Sequence, residues 1–124
     1  MGAFSGRILQ SAVSRILERG STVGSIFVSP GAGQVLVDTD ELDRGIYNVA
    51  CYIMTNVAAT VDILHRDATN ATNISQIRVF TSTINEYYLF PSPIRILADE
   101  RIRLDLIDAV VGTIQGVIYA APLD

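Results

Sequence analysis

The stretch of this sequence that most suggests chemistry is HRDATNATN, residues 65–73. His-Arg-Asp followed by an asparagine resembles the start of a protein-kinase catalytic loop. That signature, however, places asparagine five residues after the aspartate, where this chain has Thr72. The sequence also lacks a strand lysine and an Asp-Phe-Gly triplet. Because Asp, Asn and Thr side chains bond to nearby backbone groups, we predict a polar turn that joins two strands.

The same stretch contains two triplets of the glycosylation acceptor pattern, NAT at 70–72 and NIS at 73–75. Such short patterns are common by chance, and sugar attachment requires a secretory route. The N-terminal residues lack the continuous apolar block of a signal peptide. We therefore interpret both triplets as turn chemistry in a soluble, unprocessed chain.

Other reactive residues are few and scattered. His65 is the single histidine, and Cys51 is the single cysteine, placed in the middle of an apolar strand pattern. The acidic run DTDELD at 38–43 resembles the first half of a calcium loop, but it lacks glycine at the sixth position and glutamate at the twelfth. The run is predicted to be a solvated acidic strand end. These residues predict no catalytic constellation, no metal or other cofactor and no small-molecule substrate, and hence no enzyme.

The composition favours an assembly component. The chain has 124 residues, enough for one domain, and 49% of them are apolar while only 18% are charged, below the roughly 25% usual for a soluble domain. Partners are therefore expected to cover part of its surface. A net charge of −4 gives no reason to expect nucleic acid as a partner, and no apolar run is long enough to span a membrane.

Residues 1–20 differ in pattern from the rest of the chain. Apolar residues recur there at helical spacing, and Gly20 can end the helix. We predict an N-terminal helix or docking arm over 1–20, with a first strand as the competing interpretation.

From residue 21 to 124 the apolar period is two, which predicts strands. In ERIRLDLIDA, Ile102, Leu104 and Leu106 alternate with charged residues. Short strands joined by polar turns predict an all-β antiparallel, jelly-roll-like β-sandwich of about eight strands. An immunoglobulin-like sandwich is less favoured, because the chain has neither a cysteine pair nor a tryptophan.

The strands carry large apolar residues on both of their faces. If Val49, Ile63 and Leu104 face the core, then Leu64 and several aromatic residues face outward. A monomer rarely exposes so many large apolar side chains, and interfaces are enriched in aromatics and arginine. We therefore predict a subunit or capsid interface formed by Ile8, Leu9, Ile16, Leu17, Tyr52, Met54, Arg66, Arg78, Phe80, Tyr88 and Phe90.

Three segments together resemble the jelly-roll decoration, or cement, proteins of tailed-bacteriophage capsids: GIYNVACYIMTN (45–56), HRDATNATN (65–73) and ERIRLDLIDAVVGTIQGVIYAA (100–121). The similarity covers about residues 34–121 and consists of strand rhythm and turn placement. It implies a non-enzymatic virion protein, made in the host cytoplasm, that lies on the capsid surface. Its partners would be the major capsid protein and itself, as a homotrimer or homodimer, and it would stabilise the shell by bridging capsid subunits.

A second hypothesis comes from a different functional class. The same sandwich could be a carbohydrate-binding or receptor-binding module of a phage tail fibre or spike. Tyrosines and the polar residues Asp67, Asn70 and Asn73 would then contact sugar. The position of the aromatic residues distinguishes the two hypotheses, since a cement protein needs them on a broad sheet face and a lectin needs them beside a loop-lined groove.

Overall fold

The computed structural model describes residues 21–81, 86–90 and 92–123. The predicted N-terminal helix or arm over 1–20 lies outside these residues, and so do four of the candidate interface residues, Ile8, Leu9, Ile16 and Leu17. The described part of the chain is all-β. It contains no helix with the length and hydrophobicity that crossing a bilayer requires.

Within the described residues, nine strand segments form two antiparallel sheets. In chain order they are β1 (Ser21–Val28), β2 (Val35–Asp38), β3 (Gly45–Thr55), β4 (Ala59–Arg66), β5 (Asn73–Thr81), β6 (Glu86–Leu89), β7 (Ile94–Ile96), β8 (Arg101–Leu106) and β9 (Thr113–Pro122). The first sheet has the order β1-β9-β3-β6, with β7 also paired to β3, and the second has the order β2-β8-β4-β5.

The predicted β-sandwich of eight strands is confirmed, because β6 and β7 together occupy one strand position. Both pair with β3, β6 along 50–53 and β7 along 45–47. Pro93 lies between the two segments, and it interrupts the strand because proline has no amide hydrogen to donate to the ladder. Each sheet therefore has four strand positions.

The strand pairs are nested, which is the jelly-roll arrangement. β4 pairs with β5, β3 with β6 and β7, β2 with β8, and β1 with β9. Among the described strands, β4 and β5 are the only partners that follow each other directly in the chain. Their register runs from Ala59 opposite Thr81 to Arg66 opposite Asn73. The HRDATNATN stretch therefore closes the innermost hairpin of the fold.

The core lies between the sheets and is built mainly by alternation along the strands. Val49, Ile63 and Leu104 point into it, as the sequence predicts, and Ile77 and Val79 pack against it. The buried members of this core include Leu36, Val37, Tyr47, Val49, Cys51, Ile53, Val61, Ile63, Ile96, Ile102, Leu104, Leu106, Ile114 and Ile118.

Two local predictions near β2 are wrong. Alternation predicts that Val35 and Val37 share a face, but the register shifts between them and the two buried residues are the adjacent Leu36 and Val37. Such a bulge places two residues of one strand opposite one residue of its partner. The glycines of GAG at 31–33 predict a hairpin turn, and this prediction is wrong as well. The turn carries the chain from β1 in one sheet to β2 in the other.

The two sheets approach each other closely at Gly116. A Cβ at this position of β9 would lie 2.8 Å from Val37 Cγ2 and 3.2 Å from Leu104 Cδ1, both of which are buried side chains of the opposite sheet. Gly116→Ala should therefore lower the free energy of unfolding by about 1–3 kcal/mol, because overpacking forces neighbours out of place. Urea denaturation measures this change.

Gly31→Ala is the matched control, since a Cβ at Gly31 meets no atom of the described residues within 4 Å. It should change the free energy of unfolding by about 0.5 kcal/mol or less. Equal stability of the two variants would contradict the close approach of the sheets at Gly116.

Candidate functional site

The structure divides the described candidate interface residues between the two sheets and, for Tyr88 and Phe90, the core. Tyr52 and Met54 lie on the outer face of the β1-β9-β3-β6 sheet, because they alternate with the buried Cys51 and Ile53. Arg66, Arg78 and Phe80 belong to β4 and β5 of the opposite sheet. These residues therefore do not form one continuous patch.

The prediction that Tyr88 and Phe90 face outward is wrong. Both rings pack against the core, and they meet edge to face with centroids 5.3 Å apart. The register explains the difference. Tyr88 lies opposite Cys51, and residues opposite each other in a sheet point to the same side. Phe90 follows in the same phase, with its amide donating to the carbonyl of Val49 at 3.1 Å.

The outer face of the β2-β8-β4-β5 sheet carries a set of polar side chains that are hydrogen-bonded to one another. We call it the polar face, and it is formed by Asp38, Thr60, Asp62, Leu64, Arg66, Gln76, Arg78, Phe80, Arg101, Arg103 and Asp105. These residues alternate with the core residues of the same strands, so that burial of Ile102, Leu104 and Leu106 directs the charges of β8 outward.

Asp62 is the centre of the polar face. Although it is charged, it is only 4% exposed, and its two carboxylate oxygens accept three hydrogen bonds. Arg78 donates two of them, from Nε at 2.8 Å and from Nη2 at 3.1 Å, and Gln76 Nε2 donates the third at 2.7 Å. The hydrogen bond and the charge of Asp62 raise the pKa of Arg78, and Asp108 adds a smaller contribution. These bonds fix the carboxylate of Asp62, the amide of Gln76 and the guanidinium group of Arg78 relative to one another.

A second pair of charged side chains, Arg103 and Asp105, lies beside the hydrogen-bonded group of Asp62. Asp105 is opposite Asp62 in the register, and two carboxylates so placed would repel each other if neither were compensated. Arg103 compensates Asp105 with two hydrogen bonds of 2.7 Å each. Its remaining terminal nitrogen, Nη1, donates to Asn70 Oδ1 at 3.0 Å. Arg103 therefore connects the centre of the polar face to the turn between β4 and β5.

That turn is as polar as the sequence predicts. Asp67 Oδ1 accepts hydrogen bonds from the amide of Ala71 at 2.9 Å and from the hydroxyl of Thr69 at 3.0 Å. The bond from the Ala71 amide is the main reason that the pKa of Asp67 lies below its usual value. Arg66 extends from the end of β4 and donates to Asn73 Oδ1 at 2.7 Å and to the Asn70 side chain and carbonyl. The asparagines of the two glycosylation-type triplets, Asn70 and Asn73, therefore both accept hydrogen bonds from Arg66.

Phe80 marks the other end of the polar face. It lies opposite Thr60 in the register and is 73% exposed. Beside it is a cleft of about 280 Å³ whose lining includes Thr60, Phe80, Asp108, Ala109 and Val110. The cleft lies between the sheet and the 107–112 loop. A broad sheet face and a loop-lined cleft therefore meet at one exposed aromatic ring.

The single cysteine and the single histidine, Cys51 and His65, both lie in the interior. Cys51 is fully buried, and burial raises the pKa of its thiol to about 12, so that the thiol stays protonated at neutral pH. His65 Nε2 lies 2.9 Å from Glu100 Oε1, and both residues are buried. Glu100 Oε1 also accepts the amide of Leu97 at 2.7 Å. The pair joins the end of β4 to the loop that precedes β8.

Comparison with known proteins shows a similarity in fold. No family model and no curated protein matches the chain, and nothing links it to capsid decoration proteins. The chain is similar in structure to a carbohydrate-binding module described as "CBM4 structure and function", with a TM-score of 0.59. The match covers 85% of this chain and 77% of the other, at 15% sequence identity. A likeness at this identity concerns the fold alone.

Sequence reasoning identified Arg66, Arg78 and Phe80 but missed Asp62, Gln76 and Arg103. A signal for Asp62 was present, because it is a lone carboxylate within the apolar strand ATVDILHR. Its partners come from a neighbouring strand, and their contact depends on a register that alternation alone does not specify.

Asp62→Asn should lower the free energy of unfolding by about 1–3 kcal/mol, because an amide in place of the buried carboxylate sets an NH₂ group against the donors of Arg78 or Gln76. Asp40→Asn is the matched control, since asparagine tolerates the left-handed backbone of Asp40, where φ is 60°. Asp40 also faces an arginine, Arg101 at 3.7 Å, but its side chain is 88% exposed, so a change of about 0.5 kcal/mol or less is expected. Thermal and urea denaturation measure both. Equal effects would mean that Asp62 does not organise the polar face.

Proposed function

We propose that this chain is a carbohydrate-binding β-sandwich module and that its polar face holds the glycan. The observation that carries the proposal is the row of fixed planar polar groups that begins at the 67–72 turn and ends at Phe80. The proposed role is to bind a glycan, and none of the residues assigned to the site acts on it chemically.

Sugar hydroxyl groups suit this surface because each can both donate and accept a hydrogen bond. Carboxylate, amide and guanidinium groups provide pairs of donors or acceptors in one plane, which adjacent hydroxyls can match. On the polar face the groups of Asp62, Gln76 and Arg78 already hold one another in place. Binding therefore immobilises few additional rotamers, which favours affinity.

Phe80 supplies the complementary apolar contact. The C–H faces of a pyranose ring are apolar and can pack flat against an aromatic ring. The bound sugar then excludes water from the face of that ring. Phe80 is exposed on the edge strand β5, and the adjacent cleft offers Thr60 and Asp108 as polar neighbours. An exposed aromatic ring beside a few convergent polar groups is the usual composition of a ligand site.

The likeness in fold to a protein described as a carbohydrate-binding module supports the same proposal, because it indicates that this fold can serve carbohydrate binding. At 15% identity the likeness transfers no residue and no ligand, so the proposal depends on the side chains of this chain.

Capsid decoration is the second candidate, and one observation favours it. Ile26, Val28 and Met54 are exposed on the outer face of the β1-β9-β3-β6 sheet, together with the partly buried Tyr52. An apolar sheet face of this kind suits contact with a second copy or with a capsid subunit. The virion location and the capsid-protein partner remain predictions of that hypothesis. A protein that binds no glycan but forms a stable dimer or trimer in light scattering would favour it.

Phe80→Ala should weaken glycan binding about tenfold or more, because it removes the aromatic contact and the apolar area that the sugar covers. The measurement begins with a panel of soluble polysaccharides in affinity electrophoresis. Isothermal titration calorimetry then gives the dissociation constant for each glycan that retards the wild-type protein.

Ile26→Ala is the matched control for this experiment. Ile26 is a large apolar residue on an edge strand, as Phe80 is, with 63% exposure, but it belongs to the opposite sheet. Its replacement should leave glycan affinity unchanged. If Ile26→Ala loses affinity and Phe80→Ala does not, the glycan site lies on the other sheet and the proposed location is wrong.

A further inference from the structure

We infer that Asn70 is a ligand-binding residue that determines specificity at the end of the polar face opposite Phe80, where its side-chain amide donates hydrogen bonds to a glycan. This inference rests on the proposed function and extends it, because it requires a ligand that reaches both ends of the face. Two features of Asn70 lead to it, the conformation of its backbone and the hydrogen-bond partners of its side chain.

Asn70 adopts a left-handed backbone conformation, with φ of 56°. Most residues with a Cβ avoid this region, whereas asparagine and aspartate tolerate it. The backbone N–H of Asn70 donates to the backbone carbonyl of Asp67 at 3.0 Å, and this hydrogen bond closes the turn. The conformation holds the Asn70 side chain beside Arg66 and Arg103, and a substitution that is compatible with it must be aspartate or a similarly tolerant residue.

The side-chain oxygen of Asn70 is committed to the protein. It accepts one hydrogen bond from Arg66 Nε and one from Arg103 Nη1, each at 3.0 Å. Guanidinium groups are donors only, so the atom that meets both must be the oxygen and not the nitrogen of the amide. The two arginines therefore fix the orientation of the Asn70 amide without any ambiguity between its two ends.

It follows that the NH₂ group of Asn70 points away from both guanidinium groups. This half-buried residue thus presents two donors at the end of a surface on which Arg103 and Asp105 are already paired with each other. A neutral donor in a fixed orientation suits a hydroxyl or ring oxygen of a sugar. Arg66 and Arg103 hold this donor in place. Arg66 is itself held by the hydrogen bond that its Nη1 donates to Asn73 Oδ1.

The distance along the face defines the class of ligand. Thr60, opposite Phe80, and Arg66, which contacts Asn70, are the two ends of the polar face along β4. Six residues of strand span about 20 Å. A ligand that contacts both Phe80 and Asn70 must therefore be an oligosaccharide of several sugar units that lies along the strands, and a single sugar cannot make both contacts.

Asn70→Asp separates a binding role from a structural role. Aspartate has the same shape, tolerates the left-handed conformation and keeps an oxygen for Arg66 and Arg103, with which its charge strengthens the hydrogen bonds. The fold should therefore keep its melting temperature or gain stability. The variant loses the two donors, so affinity for a long glycan should fall about tenfold.

Ala68→Asp is the control for the added charge. Ala68 is exposed in the same turn as Asn70. Its side chain carries no proposed ligand contact, so Ala68→Asp should bind as the wild type does. Calorimetry with a long glycan and with its disaccharide provides the measurement, and the loss in Asn70→Asp should be confined to the long glycan.

Three results would overturn the inference, and they are distinguishable. Equal affinity of Asn70→Asp and wild type would mean that Asn70 serves only the turn, while the proposed function stands. Equal losses in both aspartate variants would assign the effect to charge. If the wild-type protein binds no glycan of any length, the proposed function fails and the role of Asn70 fails with it.

Discussion

The antiparallel pairing of β4 with β5 is the contact around which the other strand pairs of this sandwich are nested. It is the one pairing of consecutive strands in the described part of the chain, and the polar turn at 67–72 closes it. Each later pair joins residues farther apart in sequence, until β1 meets β9. Because long-range pairing requires costly loop closure, the local hairpin is the natural place for the ordered structure to begin.

The same hairpin places the candidate site. Alternation along β4 buries Val61 and Ile63 in the core and turns Asp62 outward, opposite Arg78 of β5. Packing of the two sheets therefore fixes the backbone from which the polar groups extend, and their mutual hydrogen bonds fix the side chains. Arg103 and Asn70 then connect the sheet to the turn. A rigid surface of this kind is suited to recognising a ligand whose hydroxyl groups have a fixed geometry.

Much of the fold follows from the sequence, because its alternating pattern is regular. The alternation in β8 predicts its buried and outward residues correctly, and the composition of HRDATNATN predicts a turn. The errors arise where alternation is locally interrupted or where strand phase is not apparent. The bulge in β2 buries two adjacent residues, and the register of β6 with β3 turns Tyr88 to the core.

The candidate site is harder to predict than the fold. Its residues come from β4, β5, β8 and a turn, and their contacts depend on which strands are neighbours in the sheet. Leu64 illustrates the limit. It lies on the outward side of β4, yet it is buried, since long polar side chains opposite it in the register, Gln76 and Arg103, flank it. An apolar residue on an outer face is therefore not by itself a sign of a subunit interface.

Whether the polar face holds the glycan can be measured by NMR, in a titration of the ¹⁵N-labelled protein with the soluble glycan that it binds most tightly. If it does, the largest amide shifts occur in β4, in β5 and in the 67–72 turn, including those of Asp62, Phe80 and Asn70. Shifts concentrated in β1 and β9, on the outer face of the other sheet, would contradict it.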